Sequence, residues 1–434
     1  MFRKYLVPSF IFLLVTGIAA TIALKTLNIK NSVDMRNGPG SYYKLLLRLQ
    51  PGSEVEQLER EQQWLKVKTP KEVGWIPERS VYTQKQKKEP DDNGSLKETA
   101  ENAFDELSDK KNDTASDPYA SRAQVAAAVK GFAQSFTSQK TTAQEENLLK
   151  NFDSYVDKAA YKQFRNQRLD NWSWAKAQSR LAIDPGKAPA LNPQREQAGW
   201  GIANVIAQRG LLKDKALQQY LTHIALVIAE NSHRYETTVQ VYILETNKIT
   251  GFAAPNGSIF VSKGALQLMK NEAGFAYFVA HELAHIVFNH GAKETEKREP
   301  KIRAEEGFEE LNEETGQNRD QKYIETEAEL TKWANQVYEY TIKDRLNEYE
   351  YEADYWGLAY TYRAGYDAYQ GLELLKRIYD RQGDFDRGIG LVKWEGTSLR
   401  KRITKVKKHL QDFNISSGFG NQHTSTFQQM VRDI

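Results

Sequence analysis

One break in composition divides this chain into two folding units. Between Thr83 and Pro118 large apolar residues nearly vanish, and Lys, Asp, Glu, Asn and Ser dominate. Such a segment cannot bury enough apolar surface to offset the entropy of ordering, so we expect a disordered linker over 83–119. The chain has 434 residues, 40% of them hydrophobic, which is enough for a sizeable core. We therefore predict a small domain over 26–82, a large one over 120–410 and a polar C-terminal tail over 411–434.

The chain has no cysteine and only seven histidines. The lack of cysteine excludes disulfides, thiolate nucleophiles, iron–sulfur clusters and cysteine-type structural zinc sites. Any metal must therefore be held by His, Asp or Glu. Lys and Arg number 60 against 57 Asp and Glu, a net charge of +3, and no large basic block is present. We therefore expect no nucleic-acid partner.

The N-terminus has the pattern of an export segment. Arg3 and Lys4 precede an uncharged, largely apolar run from Leu6 to Leu24. This favours a signal peptide or an N-terminal membrane anchor over 1–25, and small residues near its end would allow cleavage. The alternative is a buried soluble helix. Either favoured interpretation predicts a periplasmic or other extracytoplasmic location, inner-membrane anchored if the segment is retained.

Short β-type segments separated by turns fill Leu27–Tyr82. The turn Met35–Pro39, the strand that begins at Trp64 and the segment Gly74–Ile76 resemble those of a bacterial SH3-like domain. The resemblance implies a small all-β barrel with a cell-wall or peptide ligand, and hence a targeting role. Trp64 and Trp75 are either barrel core or a surface on which a ligand stacks.

The chemistry is concentrated in the run Phe278–His290, which contains three of the seven histidines. His281 and His285 are four positions apart, so on a helix they lie ~40° apart around the axis and can share one cation. Glu282 lies ~100° from His281, where it can reach a water molecule at the metal without being a ligand. The alternative is two surface histidines on an amphipathic helix.

A catalytic zinc takes three protein ligands, so a third is needed, and without cysteine we expect a carboxylate. Glu350 and Asp354 are four apart and would share one helix face, one as ligand and the other as hydrogen-bond partner of an imidazole. Glu348 and Glu352 form a competing pair on a different face. Spacing alone does not choose between the pairs.

These two motifs together resemble the gluzincin metallopeptidase family that includes the CAAX prenyl protease. The similarity extends from about Gln197 to Ile403 and includes the segment Phe252–Gly264. It implies an α+β fold, a helix-rich metallopeptidase domain with a small sheet, and one Zn²⁺ per chain. It further implies that Glu350 is the third ligand and that Asp354 orients an imidazole.

Two weaker expectations also follow from the resemblance. The strand that contains Ser258, Ile259, Phe260 and Val261 resembles the family's edge strand, which would pair with an extended peptide; the alternative is an ordinary sheet strand. Arg402 matches the arginine of a C-terminal family motif, although Gly396-Thr397 stands where relatives have His-Pro.

Two further features are interpreted from position alone. His290 is nine positions from His281, about 180° round a helix, which favours a structural role over a metal ligand. The charged insertion between His285 and Glu350 is either a solvated helical segment or a lid over the site.

The sequence thus predicts an exported zinc endopeptidase with Glu282 as general base, which acts on protein or peptide substrates, such as misfolded or envelope proteins. Membrane contact would come through the N-terminal segment. The alternatives are a chaperone-like or cell-wall-binding protein with a latent zinc site, and a hydrolase of cell-wall peptides.

Overall fold

The computed structural model describes residues 25–82, 156–168, 172–190, 210–291, 347–381 and 396–434, with single positions between 196 and 207 and at 293. The predicted linker over 83–119, nearly all of the export segment and most of the insertion after the second histidine lie outside these residues. Among these described residues, no helix combines the length and the apolar character needed to cross a bilayer.

The N-terminal domain is a six-stranded sheet in which every pairing is antiparallel, in the order β1-β4-β5-β6-β2-β3. The strands are β1 (Lys25–Asn28), β2 (Val33–Arg36), β3 (Leu45–Leu49), β4 (Glu54–Glu61), β5 (Trp64–Lys68) and β6 (Val73–Pro77), followed by a 3-10 turn, Glu78–Ser80. Alternate residues of these strands form a small apolar core of their own. The predicted all-β domain is therefore confirmed.

The second domain is mainly helical with one small sheet, as predicted. Its helices are α1 (Lys158–Arg168), α2 (Trp174–Arg180), α3 (Lys215–Glu230), α4 (Lys263–Leu268), α5 (Glu272–Val287), α6 (Asn347–Arg363), α7 (Tyr369–Asp380), α8 (Gly396–Asp412) and α9 (Thr424–Met430). A 3-10 turn, Pro185–Lys187, follows α2. The strands are β7 (Gln240–Leu244), β8 (Gly251–Ala253) and β9 (Ser258–Ser262).

The expected edge strand is in fact the central strand of its sheet. β9 pairs with β7 in parallel along its whole length and with β8 antiparallel, so the order is β7-β9-β8. All five residues of β9 are buried. Because both sides of its main chain are already paired, Ser258–Val261 cannot hold a substrate by strand addition, and that expectation is wrong.

Helix α5 is the centre of the core. Asn271 caps its N-terminus by accepting a hydrogen bond from the N–H of Gly274, and every residue from Glu272 to Val287 is buried. It packs against α3, α6 and α7. A helix that is apolar around its whole circumference is stable only inside a protein, which is why the two histidines at 281 and 285 are buried and not displayed on a surface.

The C-terminal segment is part of the second domain rather than a tail beyond it. Phe427 of α9 is fully buried in the main core cluster, and Ile415 is buried in the same cluster. The amide N–H of Asp367 donates to the carbonyl of Asn421. The polar composition after residue 411 therefore conceals a few apolar anchors that attach this segment to α5.

The two tryptophans of the barrel lie at its contact with the second domain. Trp64 and Trp75 form a separate buried cluster with Tyr235, outside the barrel core. The rings of Trp64 and Tyr235 meet edge to face with centroids 5.8 Å apart, and Trp174 also packs against Tyr235. The tryptophans therefore join the two domains, which neither of the two expectations for them had anticipated.

Candidate metal centre

Three side chains from two helices converge on one point. Nε2 of His281 and Nε2 of His285, one turn apart on α5, are 3.2 Å from each other. Glu350, in the first turn of α6, brings Oε2 to 3.4 Å from the first of these nitrogens and Oε1 to 3.4 Å from the second. All three residues are buried.

This geometry fits a divalent ion in tetrahedral coordination. Ligand atoms ~2.0–2.1 Å from a zinc ion at tetrahedral angles are about 3.3 Å from one another. The two imidazole nitrogens, 3.2 Å apart, match that separation, and each of them has one oxygen of Glu350 at 3.4 Å. Two imidazoles and one carboxylate are also a donor set that leaves a fourth position open for water or substrate.

The competition between the two carboxylate pairs is decided by the packing of α6 on α5. Glu350 faces the histidines and is 1% exposed, whereas Glu348 is exposed. The close approach of the two helices depends on Gly357, because a Cβ there would lie 3.2 Å from the Tyr277 ring and 3.4 Å from the backbone of His281. Glycine at this position lets the acidic face of α6 pack against α5, the helix that bears His281 and His285.

Asp354 holds His281 from the side opposite the metal position. Its Oδ1 lies 3.1 Å from Nδ1 of His281 and accepts a 2.8 Å hydrogen bond from the hydroxyl of Tyr277. A carboxylate at Nδ1 keeps the proton on that nitrogen and leaves Nε2 as the metal-binding atom. Burial alone would lower the pKa of His281, but its bonds to Asp354 and Glu350 outweigh burial and raise it to about 9.

Arg402 of α8 neutralises both carboxylates of the site. Its Nε and Nη2 donate to the two oxygens of Asp354 at 2.7 and 2.6 Å, and its Nη1 donates to Glu350 at 2.7 Å. Burial alone would raise the pKa of Asp354, yet Arg402 and His281 hold it well below its usual range. The arginine singled out by the family motif is therefore in direct contact with the site.

His290 contacts the site through a route that helical spacing does not reveal. Helix α5 ends at Val287, and Asn289 takes a left-handed conformation with φ 55°. The chain turns there, so Nδ1 of His290 lies 2.9 Å from Nδ1 of His285, and its Nε2 lies 3.1 Å from Oε2 of Glu352. Helical periodicity placed His290 on the far side of the axis because it assumed that the helix continued.

Glu282 follows His281 on α5 and is fully buried. It lies outside the group whose donor atoms could share one ion, as the helical angle predicts. Sequence reasoning missed the hydroxyl of Tyr277, and it gave His290 a structural role without its contact with His285. The first stands four positions before His281, on the same helix face, and the second five positions after His285, which were the available signals.

Comparison with known proteins agrees with this geometry. Residues 213–410 match the model of Peptidase family M48, and residues 30–82 match that of the bacterial SH3 domain. The chain is also similar to the beta-barrel assembly-enhancing protease of Yersinia pestis, 21% identical over 119 residues. The protein of the same name from Escherichia coli (strain K12) is 18% identical over 119 residues. Each alignment covers 27% of this chain and 24% of the relative, so the chain matches about a quarter of the length of these relatives. The two family matches confirm both resemblances drawn from the sequence.

Proposed function

We propose that this chain, which carries a metallopeptidase domain of family M48, is an exported zinc endopeptidase that hydrolyses peptide bonds of protein substrates. The observation that carries the proposal is the buried trio His281, His285 and Glu350, in which one donor atom from each residue lies within 4.8 Å of the other two. Among divalent ions, zinc is the one that two imidazoles and a carboxylate with one open position suit best.

The residues of the site divide the remaining work. When bound, zinc polarises the scissile carbonyl and makes water acidic enough to act as a nucleophile near neutral pH. Glu282 takes a proton from the attacking water and delivers it to the leaving amine. Asp354 and Glu352, the second acting through His290, keep the ring protons on the Nδ1 atoms of the two histidines. Arg402 holds both carboxylates of α6 in place.

The substrate class is supported from outside the site. The name of the two relatives describes a protease that enhances β-barrel assembly, which favours envelope proteins, including misfolded ones, as substrates here. The basic and apolar N-terminal pattern favours export, either to the periplasm or to the outer face of the inner membrane. Because the barrel is fixed to the second domain by Trp64 and Tyr235, we infer that it presents substrates to the peptidase domain and does not act as a detached anchor.

Cleavage of unfolded casein by the purified exported part, with and without a chelator, tests the proposal. We expect cleavage that the chelator abolishes and that added zinc restores. Binding of casein without cleavage would contradict the proposal and favour the chaperone-like alternative. Release of muropeptides from cell-wall material, with casein left intact, would instead favour the hydrolase of cell-wall peptides.

A further inference from the structure

A cleft runs between the barrel and the second domain, away from the metal centre. Its barrel side includes the start of β2 and Pro77. Its other side includes the turn at Pro255 and Asn256 and four residues that follow α3, namely Arg234, Glu236, Thr237 and Thr238. Contacts that join its two walls include Arg79 Nη1 at 2.7 Å from Oε1 of Glu236 and Arg36 Nη2 at 3.1 Å from Oγ1 of Thr238.

Four buried polar atoms of the cleft-lining residues have no hydrogen-bond partner within the part of the chain that the structure describes. They are Nε of Arg234, Oε2 of Glu236, Oγ1 of Thr237 and Oγ of Ser32. The side chain of Arg234 is 4% exposed, and its nearest acidic oxygen is that of Glu236 at 3.9 Å. Buried polar groups without partners are costly and uncommon in folded proteins, and a cluster of four in one cleft indicates that a polar ligand belongs there.

The four atoms specify the chemistry of that ligand. Arg234 offers an N–H donor, Glu236 offers an acceptor, and the two hydroxyls can do either. A carboxylate would satisfy Arg234 but would face the charge of Glu236, and an ammonium group would do the reverse. A peptide group has no net charge and carries an N–H and a C=O at a fixed separation. A peptide group therefore satisfies both Arg234 and Glu236.

The barrel strands leave room for such a chain. β2 pairs with β6 only where Arg36 lies opposite Trp75, and Pro77, which also lines the cleft, has no N–H with which to continue the ladder. The seam between the two strands therefore opens into the cleft. Because the four polar atoms are shielded in this arrangement, an entering segment must widen the cleft to reach them.

We propose that this cleft binds an extended polypeptide segment by its main chain. The inference rests on the proposed function, since the segment would belong to the same protein that the metal centre cleaves. The cleft is then a second attachment point, which favours long unfolded chains over short peptides. Main-chain recognition also makes it tolerant of sequence.

Binding rather than cleavage tests the inference, so its outcome is independent of the peptidase assignment. Fluorescein-labelled, reduced and carboxymethylated α-lactalbumin serves as a permanently unfolded probe, and its anisotropy is measured with the full chain carrying Glu282→Gln. We expect Arg234→Met to weaken binding about tenfold or more, because it removes a charged hydrogen-bond donor. Arg60→Met, on the exposed barrel surface, is the matched control and should bind like the parent. Removal of zinc should leave the difference between the variants intact.

Two further measurements keep the inference falsifiable. If Arg234→Met does not fold, as judged by its thermal unfolding, Thr237→Val and Ser32→Ala replace it and should each weaken binding about threefold or more. A labelled glycine–serine peptide without charged side chains should show the same dependence on these residues. Equal affinity of the cleft variants and the control, no binding by the parent chain, or binding of the acidic probe alone would overturn the inference.

Discussion

Nδ1 of His290 lies 2.9 Å from Nδ1 of His285, the ring nitrogen that points away from the metal position. The bond of His290 lowers the pKa of Glu352, so this carboxylate is an acceptor at neutral pH. His290 therefore donates from Nε2 to Glu352 and accepts at Nδ1 from His285. This arrangement leaves the lone pair of His285 on Nε2, on the side of the proposed metal position, just as Asp354 does for His281.

Replacing His290 should therefore weaken the metal site without removing a ligand. We expect His290→Phe to lower zinc affinity roughly 10- to 100-fold, the usual cost of losing a partner that orients a ligand. Competition with a chromophoric chelator measures the affinity. Glu348→Gln, at an exposed position of the same helix as Glu352, is the control. An unchanged affinity in His290→Phe would show that the contact is only packing.

Glu282→Gln should separate metal binding from cleavage. Glutamine preserves the size of the buried side chain but cannot accept a proton, so we expect casein cleavage to fall about 10²- to 10⁴-fold or below detection. Zinc content, measured by atomic emission, should remain near one ion per chain. Substantial residual cleavage by the purified variant would remove Glu282 from the role of general base.

The choice of the third ligand can be checked with two glutamates of one helix. Glu350→Ala should lose most bound zinc, because it removes one of three protein donors. Glu348→Ala, two positions earlier and exposed, should bind zinc as the parent does. If Glu348→Ala lost more zinc than Glu350→Ala, Glu348 and not Glu350 would be the third ligand.

Arg402→Met should destabilise the metal-free protein. It leaves Asp354 and Glu350 buried side by side without their cation, and breaking a buried ion pair on one side costs about 3–5 kcal/mol. Urea unfolding of the chelator-treated Glu282→Gln chain, with and without Arg402→Met, measures the loss. Lys401→Met, at an exposed neighbour, should change stability by less than about 0.5 kcal/mol. A loss of similar size in both would contradict a specific role for Arg402.

Stability should fall as the pH is lowered from about 6.5 towards 4. Burial lowers the pKa of His223 to about 4 and that of His233 to about 4, whereas an unfolded histidine titrates near 6.5. Between these values the unfolded state binds more protons than the native state, so the free energy of unfolding decreases with falling pH. Above about 6.5 this contribution is fully present.

One of these two histidines can be removed without losing a described hydrogen bond. His223 packs against the rings of Tyr161 and Phe164, so His223→Phe should retain the packing and abolish the titration. Urea unfolding at pH 7 and at pH 5 should show a shallower dependence in the variant, by less than about 1.4 kcal/mol per pH unit. An identical pH dependence in the variant and the parent would mean that burial does not lower the pKa of His223 in the native state.

Sequence reasoning predicted directly which site residues share one face of a helix. The pair His281 and His285 occupies one helix face whatever surrounds it, and Glu282 necessarily lies off that face. The same applies to Glu350 and Asp354, which stay together on α6. Both motifs are local, so their internal geometry follows from residue spacing alone.

The sequence did not determine how the two motifs are arranged relative to each other in space. Spacing could not say whether Glu350 or Glu348 meets the histidines, because that depends on which face of α6 packs against α5, and Gly357 permits that approach. Likewise, His290 reaches His285 only because the helix ends before it. Neither the packing face of α6 nor the end of α5 can be inferred from the periodicity of the sequence.

The sequence by itself thus determined the type of this protein: a small all-β domain, a helix-rich peptidase domain and the residues that we propose to hold and assist a metal. Tertiary structure alone decided that β9 is central and already paired, and that Trp64 and Trp75 join the two domains. The physical reason is range. Periodicity fixes which side chains of one element point the same way, whereas the partner that each face meets is chosen by the packing of elements far apart in the chain.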